Sequence, residues 1–600
     1  GSGSRAAMPA SILQNGVLTH SAVQKIGQGG RLDPTILAQI QAANAQLGHT
    51  VPIGTLGDLL HRTRKHTALF GNLETLESDL SPFLFLMDSS GKIDEWNPGA
   101  TQSAPVSPYG KSDDLNKLTQ DSDAALTVVV FGDLARADTY AQYCLPEAAA
   151  RHRQNARTKL RSLLKTFLLQ WDTRVVLLSP VPAESIANRF DRITPIRIYG
   201  GDKGILTSAS TRRSGLILNT DFLPSLAIWL NLPIPKNTLG RPMSVIPAAV
   251  TPQVETALHA QFTNTAQKQN AFGGLPTIQL LLIVSAVIAN YRQKLLLARG
   301  LATGVIALPL LLFLLPIIAP QSVALSGTWL AILLVLIMVV GAKKSLAWSI
   351  CLLLVGGIVW DLLNGSILLK QAWMSYSVME GARFYGIGNE YMGAVIGAFC
   401  VLIGLTKSES NRTFWAIVIL FGATTLLMGL PQFGAKVGAI PSAGAALGVM
   451  LIVRKTGAIR LKHLALLLGV LVAGLILLAV WDMRRAAEGQ SHFARAVSGS
   501  GGGSLLQIAL RKLTMEGTLL IRSPWSLTLW ASALGFLFLR SRLPNLSANA
   551  KIAYSGILAG VVASLLVNDA GVLAAALILL YGTALFCLST ASEPNDPIAQ

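Results

Sequence analysis

The stretch ARFYGIGNEYMGAVIG, residues 382–397, holds the residue types that phosphate and hydroxyl chemistry needs. Arg383 carries a planar fork of donors that matches a phosphate edge. Glu390, seven residues on, is a carboxylate able to take a proton from an attacking hydroxyl. Gly386 and Gly388 let the backbone come close to a ligand, and Asn389 adds a polar amide at the mouth of an apolar run. Other candidates sit at similar places. Lys436 lies in the small-residue segment GLPQFGAKVGAIPSAGAALG. Asp482, Arg484, Arg485, His492 and Arg495 occupy a polar loop, and Asn568-Asp569 forms a turn between two apolar runs. Ionisable groups at membrane depth cost several kcal/mol unless paired or wetted, so each is a functional candidate. The roles expected are Arg383 and Arg495 as phosphate clamps, Glu390 or His492 as base, and Asn389, Lys436, Arg484 and Asp569 as substrate-binding groups. Asp361 and Asp482, beside Trp360 and Trp481, also read as interfacial caps in an aromatic belt. Arg484 and Arg485 also read as snorkelling anchors.

The elements that must position these groups are apolar helices. The chain has 600 residues, 51% hydrophobic and 13% charged, the balance of a membrane protein. Eleven runs near 276–291, 300–318, 324–341, 345–363, 389–405, 413–429, 436–453, 463–481, 524–539, 551–568 and 571–588 approach the roughly 20 residues a bilayer requires. Residues 1–275 hold 26 Lys+Arg against 21 Asp+Glu, and the rest hold 23 against 10. The basic excess therefore belongs to membrane loops and argues against nucleic-acid binding. It falls in alternate loops: Arg292, Lys294 and Arg299; Lys343 and Lys344; Lys407 and Arg412; Arg454 to Lys462; Arg540 to Lys551. These loops are expected in the cytoplasm, which puts residues 1–265 and the loops 364–388 and 482–523 outside and the tail 589–600 inside. Residues 266–275 read as a linker. Within 482–523, LLQIALRKLTMEGTLLIR predicts an amphipathic helix on the membrane surface. The chain opens GSGSRAAMPA, and an exported domain needs a signal or an upstream span, so the sequence is expected to be a fragment.

The first 265 residues predict an α/β domain. Strands are expected at 82–88, 126–133, 173–180, 193–200 and 215–221, and helices at 34–47, 53–64 and 147–171. Their alternation implies a parallel or mixed sheet covered by helices. Cys351, Cys400 and Cys587 lie in apolar runs and Cys144 stands alone, so no disulfide framework or zinc knuckle is expected.

Thr220-Asp221-Phe222-Leu223-Pro224-Ser225 followed by LAIWLNL, with GRLDPTILAQIQAANAQLG and VVVFGDLARAD, resembles the C-terminal portion of the alkaline phosphatase superfamily, which includes metal-dependent phosphoglycerate mutases. The resemblance covers about 30–250 and implies an N-terminally incomplete alkaline phosphatase-like fold. It departs from the family where Ser179-Pro180 stands in place of Asp-His-Gly. An active domain of this kind implies divalent metal, with Asp133 and Asp138 as surviving ligands. Arg212 and Arg213, beside Ser208, Ser210 and Thr211, are then candidates to hold a phosphate.

Residues 380–500 are similar, through Arg383-Phe384-Tyr385-Gly386-Ile387-Gly388-Asn389 and the late polar loop, to O-antigen ligases and polymerases. Those are metal-independent transferases of lipid-linked glycans. The usual Asn-Pro-Asn is replaced by Asn389-Glu390-Tyr391. The expectation is a multi-pass envelope protein that handles a lipid-linked or phosphate-bearing substrate on the outer face, in contact with membrane lipids. One alternative is a metal-dependent phosphatase or phosphotransferase in the soluble domain. Another is a transporter with Lys436 and Asp361 lining a path, which predicts an inverted repeat. No phosphate-binding glycine loop of the Gly-x-x-x-x-Gly-Lys type is present.

Overall fold

The computed structural model describes residues 13–14, 17–18, 26–27, 30–45, 52–75, 82–170, 173–183, 192–235, 238–318, 322–341, 343–379, 383–407, 410–484, 505–539 and 546–589. Contacts resolve into two compact units, Gly1–Ala257 and Leu258–Gln600.

The first unit is built on a parallel sheet of β1 (Thr67–Phe70), β2 (Glu95–Asn97) and β5 (Leu126–Val129), in the order β2-β1-β5. Every residue of β1 is buried. Ala68 and Phe70 pack on one face with Leu118, Leu163 and Phe167, while Leu69 packs on the other with Phe83, Val130 and Leu226. That alternation is the two-residue period of a strand covered on both faces. The helices α1 (Pro34–Ala45), α2 (Thr55–Arg62), α3 (Asp133–Tyr140), α4 (Pro146–Gln170) and α5 (Phe222–Trp229) accompany it. Pro146 opens α4, where its missing N–H costs nothing, and Ala149, Ala156, Leu163 and Phe167 form its buried stripe. The antiparallel pairs are β3 (Thr101–Ser103) with β4 (Lys111–Asp113), β6 (Val175–Leu178) with β7 (Ile196–Tyr199), and β8 (Gly204–Ser208) with β9 (Met243–Pro247).

Two expected strands are not strands. Residues 82–88 form a single helical turn, Phe83–Leu86, because burying Phe83 and Leu86 on one side needs a three-residue spacing. Residues 215–221 begin in a turn at Gly215 (φ 78°), are extended at Leu218 and turn again through Asn219–Asp221. The expected linker at 266–275 is occupied by the end of α6 (Pro252–Ala271) and a 3-10 turn, Phe272–Gly274.

In the second unit every expected apolar run is a helix. These are α7 (Leu275–Tyr291), α8 (Leu295–Ile318), α9 (Val323–Val340), α10 (Lys344–Leu363), α11 (Asn389–Leu405), α12 (Asn411–Gly429), α13 (Ala439–Thr456), α14 (Leu461–Met483), α16 (Pro524–Leu539), α17 (Ala548–Val567) and α18 (Gly571–Ser589). Among the described residues nine helices are long and apolar enough to cross a membrane, and α11 and α16 are shorter apolar helices. The unit is therefore compatible with a multi-pass membrane protein. Residues 505–522 form α15, the amphipathic helix expected there.

α11 and α18 are the core. In lipid, helices associate by close packing and not by escape from water. α11 supplies this with Gly393 and Gly397. A Cβ on Gly393 would lie 2.6 Å from the Ala574 carbonyl oxygen, and one on Gly397 would lie 2.6 Å from Tyr581 Cβ. α14 instead presents Leu466 and Leu477, each 70% exposed, as a surface suited to lipid. Trp360 and Trp481 are exposed at the ends of α10 and α14, as a belt requires. At one end of the bundle Arg454 bonds Asn411 and Asn549 and covers the Phe414 ring at 3.8 Å. The candidate residues lie at the other end.

Candidate functional site

Three turns meet where α11 begins. The first is the segment after α10, which Asp361 organises: its buried carboxylate accepts from the N–H groups of Leu368 (2.8 Å) and Leu369 (2.9 Å). Asp361 is thus a structural pin for that loop. Further along, Tyr376 is held by Gln269, whose amide donates to the Tyr376 carbonyl at 2.9 Å. The second turn is 430–438, between α12 and α13. The third is 568–570, between α17 and α18.

Arg383 joins the first two. Its guanidinium donates to the Ala435 carbonyl and, at 3.4 Å, to the Tyr376 hydroxyl. It lies 5.5 Å from the Tyr376 ring centroid and 5.9 Å from that of Tyr385. Aromatic faces on a cation reduce its freedom while leaving donor edges available. Burial raises the Tyr376 phenol above its ordinary range against the pull of Arg383, so it stays a neutral donor. Gly386, at φ 79°, lets the strand-like turn pass the 430–438 turn: a Cβ there would be 2.2 Å from the Gly434 carbonyl oxygen, and the Ile387 N–H bonds that same oxygen at 3.0 Å.

Asn389 and Glu390 begin α11. Asn389 Nδ2 donates to the Asp569 carbonyl at 2.6 Å, tying the third turn to the first. Glu390 is largely enclosed by protein atoms. Lys436, also buried, acts on it electrostatically. Gly388 makes room for it, since a Cβ there would stand 2.8 Å from a Glu390 carboxylate oxygen. The site thus combines two cations, one carboxylate, a phenol and an amide, set by turns that are distant in sequence.

Of the expected site residues, Arg383, Asn389, Glu390, Lys436 and Asp569 are brought together here. Asp569 contributes its backbone carbonyl while its side chain is exposed. Arg484 is exposed at the end of α14. His492 and Arg495 lie outside the described residues. Sequence reading missed Tyr376, Gln269 and Glu516. The Glu516 carboxylate, from α15, accepts from the N–H groups of Gly571 (2.6 Å) and Val572 (3.2 Å) and so caps α18. A lone acid in a basic amphipathic helix was the signal for it.

The first unit's candidates have internal partners. Asp133 accepts from Ser112 Oγ (2.9 Å), the Asp113 N–H (3.0 Å) and Arg136 (2.9 Å), with Lys159 at 3.4 Å. Asp138 pairs with Arg153 at 3.0 Å. Among the described residues no three His, Cys, Asp or Glu side chains come together to hold a metal. Burial pushes Asp113 up to about 6 despite Arg136, with the Asp133 carboxylate adding to the rise. The Ser208 and Ser210 hydroxyls donate to Asp221, at 2.6 and 2.5 Å. Asp221 also accepts from the N–H groups of Leu218 and Arg241, each at 2.9 Å. Arg213 is buried, which lowers it to about 10, whereas Arg212 is partly exposed at φ 50°. His61 bridges two carboxylates, Asp88 at 3.0 Å and Asp94 at 2.8 Å. No family model matches the chain, and neither does any curated protein or solved structure compared with it.

Proposed function

We propose that the second unit handles a phosphate-bearing, lipid-linked substrate at the end of the bundle where α11 begins. One observation carries this reading: Arg383 and Glu390, from the segment that leads into α11, meet Lys436, from the 430–438 turn, in a largely apolar helical unit. Charged groups in such a place cost several kcal/mol unless partnered, and a phosphate with a nearby hydroxyl answers both signs of charge. Arg383, steadied by Tyr376 and Tyr385, holds the phosphate with Lys436, and Glu390 is placed to accept a proton from an acceptor hydroxyl. The alternate-loop basic residues support an extracytoplasmic side for this end, and the proposed reaction class is transfer of an envelope glycan or phosphoryl group on the outer face.

The alternative, an alkaline phosphatase-like first unit with metal chemistry, draws on Thr220-Asp221 and the following helix. It gains no support from Asp133 and Asp138, whose carboxylates face Arg136, Lys159 and Arg153. Binding of farnesyl phosphate to the full chain in detergent tests the proposal. The expected result is micromolar binding that weakens at least tenfold in Arg383→Ala and in Lys436→Ala, with no requirement for divalent metal. Equal binding by wild type and both variants overturns it.

A further inference from the structure

Two carboxamides beside Glu390 have a shared peculiarity. Asn389 is 8% exposed and Asn568 is 3% exposed. Each uses its NH₂ group: Asn389 on the Asp569 carbonyl, Asn568 on Ser442 Oγ at 2.7 Å. A carbonyl only accepts, so the Asn389 nitrogen must face Asp569 and its oxygen must point away. Both Oδ1 atoms are buried and meet no donor among the described residues. An acceptor buried in this way has lost its hydration without replacement, and two of them at neighbouring turns ask for a ligand that donates.

Their placement agrees. Asn389 bonds the residue next to Asn568, and Glu390 follows Asn389 in the chain. A Cβ on Gly438 would lie 1.9 Å from Asn568 Oδ1, so that oxygen packs against Gly438, two residues from Lys436 in the chain. A metal cation would satisfy the oxygens, but Lys436 already places a positive charge beside Glu390. Hydroxyl groups meet both demands, because each donates to a carboxamide oxygen and accepts from an ammonium.

We infer that Asn389, Asn568 and Glu390 form a subsite for the hydroxyls of a sugar or polyol joined to the bound phosphate. This rests on the phosphate-handling reading above. The test uses the full chain in detergent and four probes: farnesyl phosphate, farnesyl phosphate carrying glucose, the same compound with the glucose O-methylated, and glucose 1-phosphate. The glucose-bearing lipid is expected to bind about tenfold tighter than farnesyl phosphate, the yield of one or two good hydrogen bonds. Methylation, which removes the donors without touching the protein, abolishes that gain. In Asn389→Ala and Asn568→Ala the gain, read within each variant as the ratio of glucose-bearing lipid to farnesyl phosphate affinity, also disappears. Glucose 1-phosphate binding as tightly as the lipid supports the hydroxyl subsite and makes the ligand water-borne. Farnesyl phosphate that binds without a sugar preference overturns this inference alone, and failure of farnesyl phosphate to bind removes the reading beneath it as well. Sodium-dependent stabilisation that is lost in the asparagine variants, without sugar preference, identifies a cation site and overturns the subsite.

Discussion

Asp221 offers a quantitative test of what the Thr220-Asp221 segment is for. Its side chain is fully buried, and each oxygen takes one hydroxyl and one backbone N–H. Oδ1 accepts from Ser210 Oγ (2.5 Å) and the Arg241 N–H (2.9 Å), and Oδ2 from Ser208 Oγ (2.6 Å) and the Leu218 N–H (2.9 Å). Asp221→Asn replaces one acceptor by a donor. A serine hydroxyl can reverse and accept, but a backbone N–H cannot. Whichever way the amide turns, either Arg241 or Leu218 loses its partner. The loss combines a charge-assisted bond with a stranded donor, each about 1–3 kcal/mol. Because both N–H groups are only partly buried, about 2–4 kcal/mol is expected, a large share of the 5–15 kcal/mol typical of a domain. Hydrogen exchange on the full chain reads this directly as faster exchange of the β1 and β5 amides, with second-unit helices unchanged. Ser210→Ala, losing one exposed-side hydroxyl, costs about 1 kcal/mol. Asp221→Asn within about 1 kcal/mol of wild type would refute the pin.

Other outcomes follow from the same geometry. Asp113 sits above its unfolded value, at about 6, so between pH about 4 and 6 the native first unit binds the extra proton and its stability falls as pH rises; the drop is at most about 3 kcal/mol, and Asp113→Asn should flatten it in pH-dependent exchange. Asp88 and Asp94 act oppositely: burial works against their charge, but hydrogen bonds from Lys92, Thr67, Ser90 and His61 hold both below the ordinary range, so their contribution is present above pH about 4 and fades below it. Gly393→Ala should lower the thermal midpoint of the detergent-solubilised chain, by about 2 kcal/mol of overpacking, whereas Gly474→Ala, which meets nothing within 4 Å, should not. Glu516→Ala should raise exchange at Gly571 and Val572 by about tenfold, the loss of a helix cap of about 1–2 kcal/mol.

The membrane half was legible because its signal is long-range composition: an apolar run approaching the roughly 20 residues a bilayer requires reads as a helix, and all eleven appear with ends displaced by a few residues. Arg383, Glu390 and Lys436 were visible as charges where charges are costly. Their meeting was not, because it depends on turns 430–438 and 568–570 folding onto the start of α11, and no local pattern encodes that. Tyr376 and Gln269 escaped because a tyrosine in a polar loop and a glutamine near a helix end look ordinary until a cation and a carbonyl are placed beside them. In the first unit the central strand β1 has only four residues, TALF, next to Arg64-Lys65-His66, too short for alternation to register. Its fully buried state comes from helices on both faces. Phe83 and Leu86 misled in the opposite direction, since a short apolar run has no period until its neighbours choose one.

The central claim is that a phosphate-bearing lipid sits against Arg383, Lys436 and Glu390, and photocrosslinking tests it most directly. A farnesyl phosphate with a diazirine beside the phosphate, bound to the full chain and irradiated, should label peptides 376–391 and 430–438, and Arg383→Ala should abolish the labelling. Labelling confined to the exposed faces of α9 and α14, unchanged by Arg383→Ala, would contradict the account.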